Sequence, residues 1–162
     1  MLGNMTNFAI DLHNWGGLIL RLGSALLAGG AIGLERQQQR KSAGLRTHML
    51  VSLGAALFVL VPIEVSGSVD SVSRTIQGVA TGVGFLGAGE ILHRSRPNRN
   101  SQEVKGLTSA ASIWVTAALG ITAGAGLWEL TVLGTLLTLL TLVGVKRLER
   151  TSWISRREDS EE

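Results

Sequence analysis

Five apolar stretches alternate with short polar ones along this chain, at about 15–34, 47–61, 74–92, 106–122 and 130–145. A helix rises about 1.5 Å per residue, so stretches near 20 residues match a hydrocarbon core about 30 Å thick. The pattern predicts an all-α membrane protein, a polytopic bundle of five transmembrane helices spanning residues 15–145. A polar segment, 1–14, precedes the bundle and a short tail, 146–162, follows it. Pro62 is expected to stop the second span.

The third stretch, RTIQGVATGVGFLGAGEIL from Arg74 to Leu92, contains Gly78, Gly82, Gly84, Gly87 and Gly89 and has no charge from Thr75 to Ala88. Each interior glycine costs a helix about 1 kcal/mol relative to alanine in water. In lipid the backbone must bond to itself, so the helix persists and its glycines become flat places for another helix. Gly78, Gly82 and Gly89 share one face at ~100° per residue. The expectation is therefore a tightly packed central helix. Ala25, Gly29 and Gly33 in the first stretch, and Gly120 and Gly124 in the fourth, repeat the four-residue spacing. Such faces serve packing within one bundle or a homo-oligomer contact.

Charge sets the orientation. Of fifteen Lys and Arg residues, thirteen fall in alternate polar segments: Arg36, Arg40, Lys41, Arg46; Arg94, Arg96, Arg99, Lys105; and Lys146, Arg147, Arg150, Arg156, Arg157. The intervening loops hold none, which leaves Arg21 and Arg74 at the opposite ends of spans one and three. The positive-inside rule then predicts an extracytoplasmic N-terminus and a cytoplasmic C-terminus. The same distribution accounts for a pI near 10.2 without nucleic acid as a partner. It makes anionic lipid headgroups the natural partner of the basic clusters. The chain has no cysteine, hence no disulfide or thiolate metal site. Its first residues lack a basic n-region, so no cleaved signal peptide is expected.

Candidate chemistry is sparse. Gly82-Val-Gly84-Phe-Leu-Gly87 matches G-x-G-x-x-G, but it lies inside a span rather than between a strand and a helix, so a dinucleotide site is excluded. Arg21 is a cation within an apolar run and needs a partner, with Asp11, Glu64, Asp70 and Glu129 available on its side. Arg74, with Gln77 one turn deeper, presents the same question. At the cytoplasmic end Glu35, Arg36, Arg46, Thr47, His48, Glu90 and Lys105 can converge from several spans. Two readings stand: an interfacial belt of salt bridges, or an oxygen-rich site suited to Mg²⁺, which keeps most of its water and takes one or two carboxylates. No ligand spacing defines a metal site. Thr108, Ser112 and Thr116 form a polar stripe on span four, with Ser109 beside them. Those hydroxyls bond to their own helix or a neighbour, or they line a narrow hydrated passage along the glycine face of span three. No nucleophile and base are paired, and an enzyme is not expected.

Four blocks carry a family resemblance: IGLERQ (32–37), AGLRTHMLVSLGAALF (43–58), RTIQGVATGVGFLGAGEI (74–91) and VKGLTSAASIW (104–114). With Arg21–Leu22 and the GAG of 124–126, these resemble the MgtC/SapB family of bacterial inner-membrane proteins over about residues 18–128. The resemblance implies a small multi-pass protein of the bacterial plasma membrane associated with magnesium homeostasis and adaptation to low magnesium. Its characteristic polar positions fall on Glu35, Arg36, Arg46, Thr47, Arg74 and Gln77. Two departures stand out. Many relatives continue into a folded cytoplasmic domain, where about 17 residues remain here, and the family pattern has a small or apolar residue where this chain has Glu90. The abundance of packing glycines, set against a shortage of convergent acids, points first to a non-enzymatic regulator or accessory acting through helix contacts within the membrane. The resemblance makes that role, alone or with another membrane complex, at least as credible as that of a magnesium carrier. The alternative is a small oligomeric cation transporter or channel, with Mg²⁺ as its ion.

Overall fold

A computed structural model of the chain describes residues 15–94 and 106–145. The expected extracytoplasmic segment 1–14, the basic loop beyond Arg94 with Lys105, and the tail 146–162 lie outside the described residues. Among the described residues there are five α-helices and no strand: α1 Trp15–Gln38, α2 Leu45–Val65, α3 Val69–Arg94, α4 Leu107–Gly124 and α5 Trp128–Leu140. A π-helical turn, Thr141–Val145, continues α5. Three of these helices, α1, α2 and α4, are long and apolar enough to cross a membrane. At 26 residues α3 is the longest, about 39 Å, but it is more polar. The apolar helix that starts at Trp128 is shorter. Pro62 does not end α2 as expected. It sits in the last turn, where its missing N–H strands only the Phe58 carbonyl, next to the C-terminal carbonyls that lack helical donors anyway, and α2 runs on to Val65.

Helix ends are closed by backbone geometry. After α1, Arg40 adopts the left-handed conformation (φ 53°). Its N–H donates to the Gln37 carbonyl and that of Lys41 to the Arg36 carbonyl, the paired bonds of a Schellman cap. After α4 the same cap recurs at Gly126 (φ 77°), with Gly126 N–H to Ala123 and Leu127 N–H to Thr122.

The centre of the bundle is the meeting of α1, α2 and α4, and here the sequence expectation for α3 is corrected. Ala25, Ala56 and Ala123, one from each helix, are fully buried against one another. A Cβ added at Gly29 would lie 2.6 Å from the His48 carbonyl oxygen, and one at Gly33 2.8 Å from Leu45 Cα. One at Gly124 would lie 2.7 Å from the Ala56 carbonyl oxygen. The glycine faces of α1 and α4 thus clasp α2 backbone to backbone. On α3, by contrast, a Cβ at Gly78, Gly82, Gly84 or Gly89 would meet nothing within 4 Å, and one at Gly87 makes an ordinary contact with Ala110. Val83 and Gly87 are the buried positions of α3, which lies on the flank against α4. Similar glycine spacing produced opposite environments because spacing defines a face without defining what that face meets.

Large apolar side chains point outward: Leu27, Phe58, Phe85 and Leu140 are each more than 60% exposed. Glu35, Arg36, His48, Ser52, Ser109, Ser112 and Thr116 are buried. Polar groups inside and a large apolar exterior are the arrangement a hydrocarbon solvent stabilises.

Candidate functional site

The buried polar groups form a seam between the C-terminal part of α1, the first half of α2, and α4. Glu35 and Arg36 are adjacent on α1, and Arg36 Nε donates to Glu35 Oε2 at 2.5 Å with both side chains nearly excluded from solvent. The other carboxylate oxygen, Oε1, is buried and has no hydrogen-bond partner among the described residues. One turn into α2, His48 is fully buried. Its Nδ1 lies 2.9 Å from the Gly44 carbonyl and its Nε2 3.1 Å from Ser112 Oγ on α4. Arg36, Glu35 and Glu90 are within electrostatic reach of the ring.

The Gly44 carbonyl only accepts, so Nδ1 is the protonated nitrogen. Ser112 Oγ has a single hydrogen and two acceptors in range, the Ser109 carbonyl at 2.8 Å and His48 Nε2. A neutral ring takes the hydrogen of Ser112 at Nε2. A doubly protonated ring donates to Ser112 instead, and the hydroxyl then turns to Ser109. Below this pair Thr116 Oγ1 donates to the Ser112 carbonyl at 2.8 Å. The stripe predicted on α4 is therefore shifted: Ser109, Ser112 and Thr116 are buried, whereas Thr108 is exposed. It faces α2, not the glycine face of α3, which corrects the expected passage between spans three and four.

Ser52, which the sequence reading did not single out, lies at the middle of the seam. It is fully buried one turn beyond His48, with its Cβ against Gly29 and its backbone against Gly120, and its hydroxyl has no partner among the described residues. Its signal was the four-residue spacing from His48, opposite the small residues of two other helices.

At the opposite end Arg21 Nη1 donates to the Gly124 carbonyl at 2.8 Å. The cap at Gly126 leaves that carbonyl without a backbone donor, and the guanidinium supplies one. Gly126 is needed twice there, for its positive φ and because a Cβ would sit 2.9 Å from the guanidinium carbon. The sequence predicts a carboxylate partner instead. Glu64 lies within electrostatic reach of Arg21, while Asp70 and Glu129 are exposed and Asp11 is outside the described residues.

The remaining candidates do not join the seam. Arg46 and Thr47 are exposed on the first turn of α2. Glu90 accepts a hydrogen bond from Ser42 and, with Thr47 and Gly89, lines a separate pocket. Arg74 and Gln77 are exposed on α3, and Gln77 Nε2 reaches Ser73 Oγ at 3.4 Å. The G-x-G-x-x-G match is helical throughout. Among the described residues no three His, Cys, Asp or Glu side chains gather as a metal site.

The MgtC family profile matches residues 22–151. Protein SrpB of Synechococcus elongatus is 53% identical over 148 residues, covering 87% of this chain and 81% of that protein. A putative magnesium transporter, YhiD, of Escherichia coli K12 is 48% identical over 131 residues, 76% of this chain and 58% of its own. Protein MgtC of Salmonella typhimurium LT2 is 40% identical over 121 residues, 75% and 49% of the two chains. The chain thus spans most of SrpB but only about half of the length of YhiD and MgtC. No solved structure matches.

Proposed function

This chain belongs to the MgtC family, and from that premise we propose that it serves magnesium homeostasis in a bacterial inner membrane as a non-enzymatic regulator or accessory. In this reading all five helices span the bilayer, with the N-terminus outside and the C-terminus in the cytoplasm. The basic segments then meet anionic headgroups on the inner leaflet. The name of YhiD supports the link to magnesium, and the outward apolar surface supports the membrane setting.

The observation that carries the regulatory reading is the contrast between a closed centre and an open flank. The seam is clasped by glycine backbones, and most of its polar groups are bonded to one another. Meanwhile α3 presents Arg74, Gln77, Gly84 and Phe85 outward. A rigid core displaying one polar, small-residue helix face is suited to contact with a second copy or another membrane complex. A transporter is the second reading, favoured by the unpaired Glu35 Oε1 and by the description of YhiD.

Purified protein in liposomes separates the two. The regulatory reading expects no flux of Mg²⁺, Na⁺, K⁺ or H⁺ from the chain alone. Mg²⁺ flux abolished by Glu35→Gln would establish the transporter instead. Impermeant labelling that found positions 41 and 99 on opposite sides of the bilayer would end the topology.

A further inference from the structure

Along the outside of α3 runs a line of residues spaced alternately four and three apart: Asp70, Arg74, Gln77, Thr81, Gly84 and Ala88, all exposed. At ~100° per residue they stay within about 40° of one direction, the seam of a helix that pairs with another. None carries a large apolar side chain, although Phe85 and Leu86 beside them do and are exposed as well. With 26 residues α3 is about 39 Å long, so a hydrocarbon core of about 30 Å centred on it reaches past both Gln77 and Arg74. A guanidinium facing acyl chains is costly there, and glycine or alanine adds nothing to offset it.

We infer that this line is the contact between two copies of the chain, packed as parallel α3 helices about a twofold axis along the membrane normal. The inference rests on the proposed reading in which α3 spans the bilayer and its outer face makes the working contact. A second copy is singled out by self-complementarity, which a twofold contact requires and a contact with a different protein does not. Asp70 and Arg74 carry opposite charges one turn apart, and no ion pair joins them among the described residues. Helical side chains lean towards the N-terminus, so Arg74 of one copy leans towards the partner's Asp70, and the twofold makes that pair twice. Gln77 meets its own equivalent, because an amide carries both donors and an acceptor and two of them bond reciprocally. Within α3 its Nε2 reaches Ser73 Oγ at 3.4 Å, a long bond that a closer partner would displace. Nearer the C-terminal end, Gly84 and Ala88 add little bulk, and a Cβ at position 84 meets no atom within 4 Å, so a second helix can come close.

The chain has no cysteine, so a single introduced thiol reports one position. In membranes of cells expressing the full chain, oxidation should join Gly84→Cys and Ala88→Cys into dimers. Leu86→Cys, about 160° round the helix from Ala88, should stay monomeric. Energy transfer between labelled copies diluted in bilayers then gives the dissociation constant. Gln77→Leu, at an exposed position, should raise it about tenfold, roughly 1.4 kcal/mol. Asp70→Asn and Arg74→Gln should each weaken the dimer, and together no more than either alone. Monomers at every dilution, cross-linking at position 86 in place of 84 and 88, a Gln77→Leu dimer as tight as the parent, or fully additive losses at 70 and 74 each overturn the inference. Complementation of growth at low magnesium tests the wider reading separately. A monomeric chain that still loses function with Gln77→Leu has a different protein on this face, which overturns the second copy and leaves the regulatory reading standing.

Discussion

The sharpest consequence of the fold is that equivalent substitutions at glycines of two helices should have opposite signs. In Gly120→Ala the new Cβ would overlap the Ser52 carbonyl, with Ser52 C and Cα both at 2.8 Å. All of these are backbone atoms that no rotamer change can move, so α2 and α4 must part. Overpacking of this kind costs about 1–3 kcal/mol, against which the better helix propensity of alanine returns at most about 1. Because the separation also disturbs the seam at His48 and Ser112, we predict net destabilisation of roughly 1–2 kcal/mol. Gly78→Ala and Gly82→Ala encounter nothing within 4 Å and retain only the propensity gain, up to about 1 kcal/mol of stabilisation. Thermal unfolding in detergent, followed by helical circular dichroism, reads the difference. At about 2–4 °C per kcal/mol for a chain of this size, the two sets should separate by several degrees, one below the parent and one above it. If Gly78→Ala and Gly82→Ala melt as low as Gly120→Ala, α3 is the packed centre after all and the clasp on α2 is wrong.

Three further predictions address the polar contacts. Arg21→Met leaves the Gly124 carbonyl without its donor and should cost about 1.5–3 kcal/mol. Gly126→Ala should displace the same guanidinium, so the double variant must fall well short of additivity in a melting cycle. Ser112→Ala strands the buried His48 Nε2 and should cost about 1–3 kcal/mol, while Thr116→Val, which loses a bond only to its own helix, should cost less; equal losses would refute the α2–α4 bond. Replacing Arg36 alone by methionine leaves Glu35 buried and should cost about 3–5 kcal/mol, whereas Glu35→Leu with Arg36→Met should recover much of it. A double variant no more stable than the single one would show that the pair is not buried together.

Hydropathy and charge made the helices legible, because apolar length and the placement of lysine and arginine are properties of the chain itself. Which helix lies at the centre was not legible. Ala25, Gly29 and Gly33 share their spacing with Gly78 and Gly82, and periodicity does not say whether a face meets a backbone or a gap. The stripe on α4 shows the same limit at smaller scale: Thr108 and Ser109 differ by ~100° of rotation, and the position of α2 decides which is buried. The partner of Arg21 was hidden for another reason. Every residue carries a carbonyl, and only the cap at Gly126 singles out that of Gly124. Lastly, Ser52 owes its place to Gly29 and Gly120 on two other helices, which no local reading of α2 contains.

The separation of a closed centre from an open flank also predicts how mutational sensitivity should divide between the two functional readings. Seam residues are buried, so damage there lowers stability and every activity together, and it distinguishes nothing. The outer face of α3 is different. Among the described residues Gln77 is exposed and bonds to Ser73 of its own helix, and a Cβ at position 84 meets no atom within 4 Å. Gln77→Leu and Gly84→Leu should therefore leave melting unchanged or raised, since burial in lipid favours leucine over glutamine or glycine. If the chain acts by contact through this face, both should nonetheless abolish complementation of growth at low magnesium, because they remove the amide and the flat approach that a neighbouring helix would use. Complementation that survives both substitutions, at normal protein levels, would eliminate this face as the working surface. A carrier whose ion path runs through the seam predicts that survival, because neither side chain reaches Glu35 or His48.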